Sequence, residues 1–223
     1  MKRVYIYCEG QTEESFVNSI LCPYFANMDI YVTPIIHKTK RTPTRSFKGG
    51  ANDYAMIKDE LIKLCNYQDA YVTTMFDYYG MPDNTPDINY FDKDIYKKIS
   101  HIENEITKDI GCRNLSFNLM LHEFESLLFS DVQAFNVITD EKSIEKLKTM
   151  REEADTPEHI NNSITTAPSK RIESVIGNYS KVRQGIIVAR AIGINKMLSE
   201  CKHFASWIGK IKEIATNYHE YLE

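Results

Sequence analysis

Short apolar runs, rich in β-branched and aromatic residues, alternate with helical segments in the first half of the chain. Residues 4–8 are apolar at every position, which is typical of a strand buried on both faces. Similar runs at residues 30–36 and 70–76 predict two more strands, and Pro34 favours a sheet edge for the earlier one. Helical spacing at residues 53–67 predicts a helix between the second and third strands. The resulting β-α-β-α-β order predicts parallel strands, with residues 4–8 in a central position.

Helical periodicity dominates the second half of the chain. Residues 115–121 predict a fourth strand, which follows a helix at about residues 91–108. Further helical patterns lie at about residues 141–153, 181–198 and 204–221. We therefore expect an α/β fold with a mostly parallel sheet of four strands or slightly more, helices on both faces and a helical C-terminal extension. The expected division is a core at residues 1–135 and a helical region at 136–223 that packs on it.

The composition limits the class of protein. The 223 residues include 27 Lys plus Arg and 31 Asp plus Glu, which gives a net charge of −4. This charge argues against a protein that binds duplexes nonspecifically through a surface covered in positive charge, but it allows a local basic groove. Five dispersed cysteines without a CxxC pair suggest neither a disulfide framework nor a zinc knuckle. The N-terminus enters a strand directly and no apolar run has the length of a membrane span, so we expect a cytoplasmic protein without membrane contact.

Acidic residues follow two of the predicted strands. Glu9 comes directly after the first strand and beside Gly10, and Asp77 comes directly after the third. Because these parallel strands point the same way, both acids are expected at one edge of the sheet, where open α/β sheets bind ligands. Glu13 lies at the start of a helix predicted near Ser15, so it either joins this site or only complements the helix dipole.

The segment after the fourth strand adds three candidate ligands, His122, Glu123 and Glu125. A helix beginning at His122 would place His122 and Glu125 on one face, whereas an extended backbone would place Glu123 and Glu125 together. Either conformation brings two ligands to one side. His122 also has a purely structural interpretation, because no second histidine lies at metal-ligand spacing near it.

Two regions of positive charge are candidates for phosphate contact. The loop at residues 37–50 carries five positive charges and no acid, and its candidates are Lys38, Lys40, Arg41 and Arg45. Nearer to the C-terminus, the candidates are Lys170, Arg171 and Lys181. For each of them the alternative is an ordinary solvated surface charge.

Four motifs carry a resemblance to a known family. They are Glu9-Gly10-Gln11-Thr12-Glu13, Phe76-Asp77-Tyr78-Tyr79-Gly80-Met81-Pro82, His122-Glu123-Phe124-Glu125 with the Leu-Leu-Phe-Ser-Asp that soon follows, and Pro168-Ser169-Lys170-Arg171. With these motifs the chain resembles, over nearly its whole length, the RloG-like family of Toprim-related domains of unknown function from bacterial restriction and abortive-infection loci. The resemblance implies a Toprim-like, Rossmann-type core.

The wider Toprim group includes topoisomerases, primases and overcoming-lysogenization-defect nucleases, which hold Mg²⁺ with a strand-end Glu and an Asp-x-Asp pair. By this resemblance Glu9 and Asp77 match those acids, and Glu13 matches the second acid of the nuclease branch. The second Asp of the pair would fall at Tyr79. A metal ligand is therefore missing unless Glu123 or Glu125 replaces it.

These observations lead to the hypothesis of a Mg²⁺- or Mn²⁺-dependent phosphodiesterase, most simply a nuclease of bacterial anti-phage defence that cleaves DNA or RNA. The expected metal ligands are Glu9, Glu13, Asp77, Glu123 and Glu125, and the expected catalytic residues are Glu9, Asp77, Glu123, Glu125 and Lys181. The rival hypothesis is a noncatalytic module that serves as the partner subunit of an AAA- or ABC-type ATPase. A transferase acting on mononucleotides is a third hypothesis, and a homodimer is a further expectation.

Overall fold

The structure, a computed structural model, describes residues 2–37, 53–67, 69–160 and 166–216, and within them a five-stranded sheet. The strands are β1 (Lys2–Cys8), β2 (Ile30–Ile36), β3 (Ala70–Asp77), β4 (Leu115–Ser116) and β5 (Leu119–Met120). All of their pairings are parallel, in the order β2-β1-β3-β4, and β5 pairs with β3 further along that strand. The expected α/β class with a mostly parallel sheet is thereby confirmed.

Helices surround this sheet and fill most of the C-terminal half. They are α1 (Gln11–Phe16), α2 (Cys22–Ala26), α3 (Tyr54–Cys65), α4 (Ile95–Ile110), α5 (Glu141–Glu152), α6 (Pro168–Val175), α7 (Ile186–Ile192), α8 (Ile194–Glu200) and α9 (Lys202–Thr216). Between them lie π-helical turns at Val17–Leu21 and Lys181–Gly185 and 3₁₀ segments at Phe124–Ser130 and Val132–Val137.

The two faces of the sheet pack against separate hydrophobic cores. Along β1, Val4, Ile6 and Cys8 belong to the core formed with the C-terminal helices, whereas Tyr7 belongs to the core formed with α3 and α4. This alternation follows from the period of two along a strand, and it requires apolar residues at successive positions of a strand that is covered on both sides. β2, which contains Pro34, lies at the edge as its sequence predicts.

The register of the central strands fixes where the chain leaves the sheet. Cys8, the last residue of β1, pairs with Met75 of β3 on one side and with Ile36 of β2 on the other. The next amide, that of Glu9, donates a hydrogen bond to the carbonyl of Met75 at 3.1 Å. Glu9 and Asp77 therefore emerge at the same edge of the sheet.

Two elements differ from the pattern-based expectation. The first helix begins at Gln11 rather than near Ser15, because Gly10 occupies the N-cap and Glu13 closes a capping box with the backbone amide of Gly10. The expected fourth strand is split into β4 and β5, since the hydroxyl of Thr74 pairs with the backbone N–H and C=O of Asn118 in place of a regular ladder.

The C-terminal helices pack directly on the sheet. Trp207 of α9 is buried and donates its indole N–H to the hydroxyl of Thr73 in β3 at 2.9 Å. The same hydrophobic core contains residues from Val4 to Ala215. The division at residue 135 stays a prediction. Among the described residues, no helix combines the length and apolar character that crossing a membrane requires.

Candidate metal centre

Three carboxylates meet where β3 ends and where the chain leaves β5. Asp77, Glu123 and Glu125 each offer an oxygen atom, and these three atoms lie within 4.8 Å of one another. We call these residues the acid cluster. Asp77 and Glu123 are partly buried, whereas Glu125 is fully buried. The cluster lies at the carboxyl ends of the strands, where a parallel sheet places its ligand sites.

Backbone amides from other segments hold two of these acids in place. Asp77 accepts a hydrogen bond at Oδ1 from the amide of Phe124 at 2.9 Å, which ties the end of β3 to the acidic segment. Glu123 accepts a hydrogen bond at Oε2 from the amide of Ser169 at 2.9 Å, at the start of α6. Each bond fixes an oxygen that would otherwise rotate freely, so the acid cluster is preorganised by main chain that lies far apart in sequence.

Local backbone conformation places Glu123 and Glu125 on the same side. Glu123 is extended, with φ −148° and ψ 158°, and Glu125 lies in the 3₁₀ segment that begins at the next residue. Of the two arrangements that the sequence allows, the one that pairs Glu123 with Glu125 is therefore observed. His122 is not part of the acid cluster.

A single lysine spans the two glutamates. The ammonium group of Lys181 lies 3.2 Å from Oε2 of Glu125 and 3.5 Å from Oε1 of Glu123. Lys181 begins the π-helical turn at Lys181–Gly185, so a residue of the C-terminal half supplies positive charge to the acid cluster. Burial alone would lower the pKa of Lys181, but Glu125 and Glu123 raise it well above its ordinary value, and the side chain is fully charged.

Glu9 and Glu13 lie beside the acid cluster rather than in it. Glu9 accepts a hydrogen bond at Oε2 from the amide of Asp77 at 3.1 Å, as the convergence of the parallel strands predicts. Glu13, the third residue of α1, is buried and accepts a hydrogen bond from the amide of the N-cap residue Gly10 at 2.9 Å. Neither residue belongs to the group whose oxygens lie within 4.8 Å of one another.

The acids at this edge resist ionisation in the absence of a cation. Burial, together with the charge of Glu13, raises the pKa of Glu9 to about 7, although the Asp77 amide and Lys181 act in the opposite direction. Burial likewise raises the pKa of Glu125 to about 7 against the influence of Lys181. Burial and the charge of Glu9 raise the pKa of Asp77 well above its ordinary value. Several acids with raised pKa values, held close together, are typical of functional sites.

The acid cluster fits a divalent cation by its donor set and by an unused oxygen. Within the described part of the chain, Oε1 of Glu125 is buried without a hydrogen-bond partner. Carboxylate oxygens are the ligands that Mg²⁺ and Mn²⁺ prefer, and a buried acceptor without a donor is costly unless something binds it. These residues therefore suit a hard divalent cation.

Tyr179 is a residue of this site that sequence patterns did not single out. Its hydroxyl is buried and has no hydrogen-bond partner among the described residues. Burial and the charges of Glu125 and Glu123 raise the pKa of Tyr179 well above its ordinary value, so the hydroxyl keeps its proton. A lone tyrosine in a loop carries no periodic signal, and only the fold brings it to the acids.

His122 packs against Tyr79 and lies outside the acid cluster. Its φ of 65° lies in the left-handed region, which is uncommon for a residue with a side chain, and its ring packs at 5.2 Å from that of Tyr79. Burial lowers the pKa of His122 to about 4, so the ring is neutral near neutral pH. Tyr79, which stands where the resemblance expects a second Asp, thus contributes an aromatic contact at this position.

The basic candidates have different outcomes. Lys38, Lys40, Arg41 and Arg45 lie outside the described residues. Lys170 forms an ion pair with Glu173 at 2.7 Å, and Arg171 forms one with Glu153 at 3.5 Å. Lys181 is the candidate that lies against the acid cluster, and the role of Lys170 and Arg171 in phosphate contact stays a prediction.

Gly80 offers a test of how tightly Glu9 is held. A Cβ atom added at Gly80 would lie 2.6 Å from both carboxylate oxygens of Glu9. We expect Gly80→Ala to displace this carboxylate from the Asp77 amide and to lower the free energy of unfolding by about 1–3 kcal/mol. Denaturant unfolding measures this change.

The matched control is Gly209→Ala in α9, where an added Cβ meets no atom within 4 Å. This substitution replaces a glycine inside a helix. That substitution should stabilise the protein slightly. Equal stability of Gly80→Ala and the wild type would show that Glu9 moves aside without cost.

Comparison with known proteins connects the chain to a family. A family model described as a domain of unknown function, DUF4276, matches residues 8–212. No curated protein and no solved structure matches the chain. The matched range contains Glu9, the acid cluster and Lys181, so the whole site lies inside the family domain.

Proposed function

The chain belongs to the DUF4276 family, a domain of unknown function, and we propose that it is a Mg²⁺- or Mn²⁺-dependent phosphodiesterase, most simply a nuclease. The observation that supports this proposal is the acid cluster, whose three oxygens lie within 4.8 Å of one another at the carboxyl end of β3. Clustered, partly buried carboxylates repel one another, and a shared cation offsets that repulsion.

The residues of the site have distinct roles in this proposal. Asp77, Glu123 and Glu125 would hold the cation. Glu9 would bind a second cation, or would keep the end of β3 in position through its hydrogen bond from the Asp77 amide. When bound, Mg²⁺ or Mn²⁺ supplies an acidified water molecule and neutralises charge that develops on the phosphate.

Lys181 has two roles in succession. Without a cation its ammonium group neutralises Glu123 and Glu125. With these carboxylates engaged elsewhere, the same ammonium group donates hydrogen bonds to a phosphate oxygen. The hydroxyl of Tyr179, protonated and without a partner among the described residues, is a further donor for that phosphate.

The substrate in this proposal is nucleic acid, DNA or RNA, and the biological setting is anti-phage defence, as the resemblance to Toprim-related domains of abortive-infection loci suggests. β2 ends at Ile36, and the basic segment at residues 38–48 follows it in the sequence. The positive charge of this segment supports binding to a phosphate backbone.

A noncatalytic role is the second candidate function, and two observations favour it. Tyr79 stands where the resemblance expects an Asp, and Lys181 already neutralises the acid cluster without a metal. In that case the domain is the structural partner subunit of an AAA- or ABC-type ATPase.

Metal binding and cleavage, measured on the same preparation, distinguish the two functions. Calorimetric titration with Mn²⁺ and cleavage assays with Mg²⁺ or Mn²⁺ on single-stranded DNA, duplex DNA and tRNA are run with the wild type, Glu9→Gln and Asp77→Asn. We expect Mn²⁺ binding and cleavage of at least one substrate by the wild type. Asp77→Asn should lower cleavage by about 10³-fold or more.

Asp83→Asn, in an exposed turn after β3, is the matched control and should retain activity. Cleavage that survives both Glu9→Gln and Asp77→Asn would refute the site. Neither metal binding nor cleavage by the wild type would favour the noncatalytic role, and turnover of mononucleotides without cleavage of polymers would favour a transferase.

A further inference from the structure

A cavity of about 640 Å³ has in its wall His122, the residue directly before Glu123 of the acid cluster, together with Tyr96 and His159. This volume is in the range of pockets that hold nucleotide-sized ligands. The proposed function does not use the cavity, since a cation needs only the acids.

The cavity and the acid cluster share main-chain elements. His122 directly precedes Glu123, and its carbonyl accepts a hydrogen bond from the amide of Tyr79 at 3.4 Å, two residues beyond Asp77. The start of α6 connects them a second time, because the Ser169 amide binds Glu123 while Arg171 pairs with Glu153 at the cavity rim. The cavity wall and the acid cluster are therefore linked through the main chain at two places.

Three aromatic side chains line the cavity, those of Tyr96, His122 and His159. The rings of Tyr96 and His159 lie 5.0 Å apart and are tilted by 52°, and the ammonium group of Lys202 lies 5.4 Å from the centre of the Tyr96 ring. His122 is nine-tenths buried and keeps a left-handed backbone, a conformation that persists where the surroundings impose it and that clusters at ligand sites. Aromatic side chains that line a cavity bind nucleobases by stacking.

The polar groups at the rim favour a base over a phosphate. Among the described residues, the lining includes three carboxylates, Asp94, Glu153 and Asp155, and one lysine, Lys93, while Arg171 pairs with Glu153. This excess of carboxylates repels a phosphodiester backbone, so the backbone stays outside, at the cation. Carboxylates accept hydrogen bonds from exocyclic amino groups, which adenine, cytosine and guanine carry and thymine and uracil lack.

We propose that this cavity binds an unpaired, amino-bearing nucleobase of the substrate strand, next to the phosphate at the acid cluster. This inference rests on the proposed function and names its substrate class, single-stranded nucleic acid. A paired base inside a duplex cannot enter such a cavity unless it leaves the stack. Adenine or cytosine should therefore be bound in preference to thymine, and single strands in preference to duplexes.

Fluorescence anisotropy in EDTA tests base binding without any contribution from a metal. The probes are short labelled homo-oligomers of dA, dC and dT, an rA oligomer and a dA·dT duplex, with unlabelled AMP as competitor. We expect the dA and dC oligomers to bind more tightly than the dT oligomer and the duplex. The rA oligomer and AMP show whether the sugar or the polymer adds to binding by the base.

Variants locate the binding to the cavity. Tyr96→Ala and His159→Ala should each weaken dA binding about tenfold through loss of stacking, whereas Tyr96→Phe should bind like the wild type. Tyr90→Ala is the matched control, because Tyr90 is exposed and stacks on His101 outside the cavity wall. Thermal melting checks each variant, and if Tyr96→Ala fails to fold, His159→Ala alone decides.

Two results would overturn the inference: duplex binding as tight as single-strand binding, or unchanged affinity in folded Tyr96→Ala and His159→Ala. Cleavage by the wild type, measured beside base binding in EDTA, separates this outcome from that of the proposed function, because the two assays fail independently of one another. Metal-dependent cleavage with no base preference would contradict base binding in the cavity but support the phosphodiesterase function. Base binding without cleavage would support the cavity as a base-binding site but contradict the phosphodiesterase function.

Discussion

Replacing Glu125 with Gln is expected to stabilise the metal-free protein and, at the same time, to abolish its response to divalent cations. Glu125 is fully buried, and burial raises the pKa of its carboxyl group to about 7 even though Lys181 lies 3.2 Å away. Its ionised form is therefore less stable in the folded protein than in the unfolded chain. A neutral amide of the same shape removes that penalty and still accepts a hydrogen bond from Lys181.

The sign of the pH dependence follows from this pKa. Because the folded-state pKa of Glu125 is raised, the unfolded chain loses this proton first, and the penalty on the folded state grows as pH rises from the ordinary value of 4.5 to about 7. Below that window the carboxyl group is protonated in both states and imposes no penalty. Glu125→Gln should thus raise the free energy of unfolding by about 2 kcal/mol near pH 8 and by little near pH 4.

Denaturant unfolding in EDTA at both pH values measures this effect, and repetition with Mg²⁺ or Mn²⁺ measures the response to the cation. The wild type should be stabilised by the cation, and Glu125→Gln should not. Glu145→Gln is the matched control, because Glu145 is exposed on α5 and pairs only weakly with Lys148 at 3.9 Å. A Glu125→Gln protein less stable than the wild type in EDTA would show that the carboxylate has a structural role.

Residue patterns predict the part of this site that depends on strand direction. Glu9 and Asp77 each follow an apolar strand, and two parallel strands in register must end at the same edge, so their meeting is a consequence of topology. The central position of β1 follows in the same way from its unbroken apolar run. These inferences need only the period of two and the direction of the strands.

The rest of the site depends on conformations that no period encodes. The chain turns through a left-handed φ of 65° at His122, and the extended Glu123 followed by a 3₁₀ segment brings Glu123 and Glu125 together. Glu13 accepts a hydrogen bond from the Gly10 amide at the start of α1, and its role as a metal ligand stays a prediction. Tyr179 lies in a loop whose pattern gives no sign of its role, and only tertiary packing brings its hydroxyl near the acids.

Replacing Lys181 with Met should have the opposite effect on stability. Met keeps most of the length of the side chain but removes the charge that neutralises Glu123 and Glu125, so three carboxylates are left without that cation. The side chain of Lys181 is 35% exposed, and solvent screens part of the loss. We expect the free energy of unfolding in EDTA to fall by about 1–3 kcal/mol near pH 8.

Divalent cations and a second substitution should each restore this stability. Mg²⁺ or Mn²⁺ replaces the missing positive charge, so Lys181→Met should gain more stability from the cation than the wild type gains. The double variant Lys181→Met/Glu125→Gln should be more stable than Lys181→Met alone, since it removes one of the unbalanced acids. Lys108→Met is the matched control, because Lys108 is 71% exposed and pairs with Glu105 on the same helix.

Cleavage by Lys181→Met at saturating cation then separates charge balance from catalysis. If Lys181 only neutralises the acids, restored stability should bring restored activity. If its ammonium group contacts the phosphate, as we propose, cleavage should stay about 10²-fold below the wild type even when the protein is fully folded. A Lys181→Met protein as stable as the wild type in EDTA would contradict the neutralising role, because the acid cluster would then need no compensating charge.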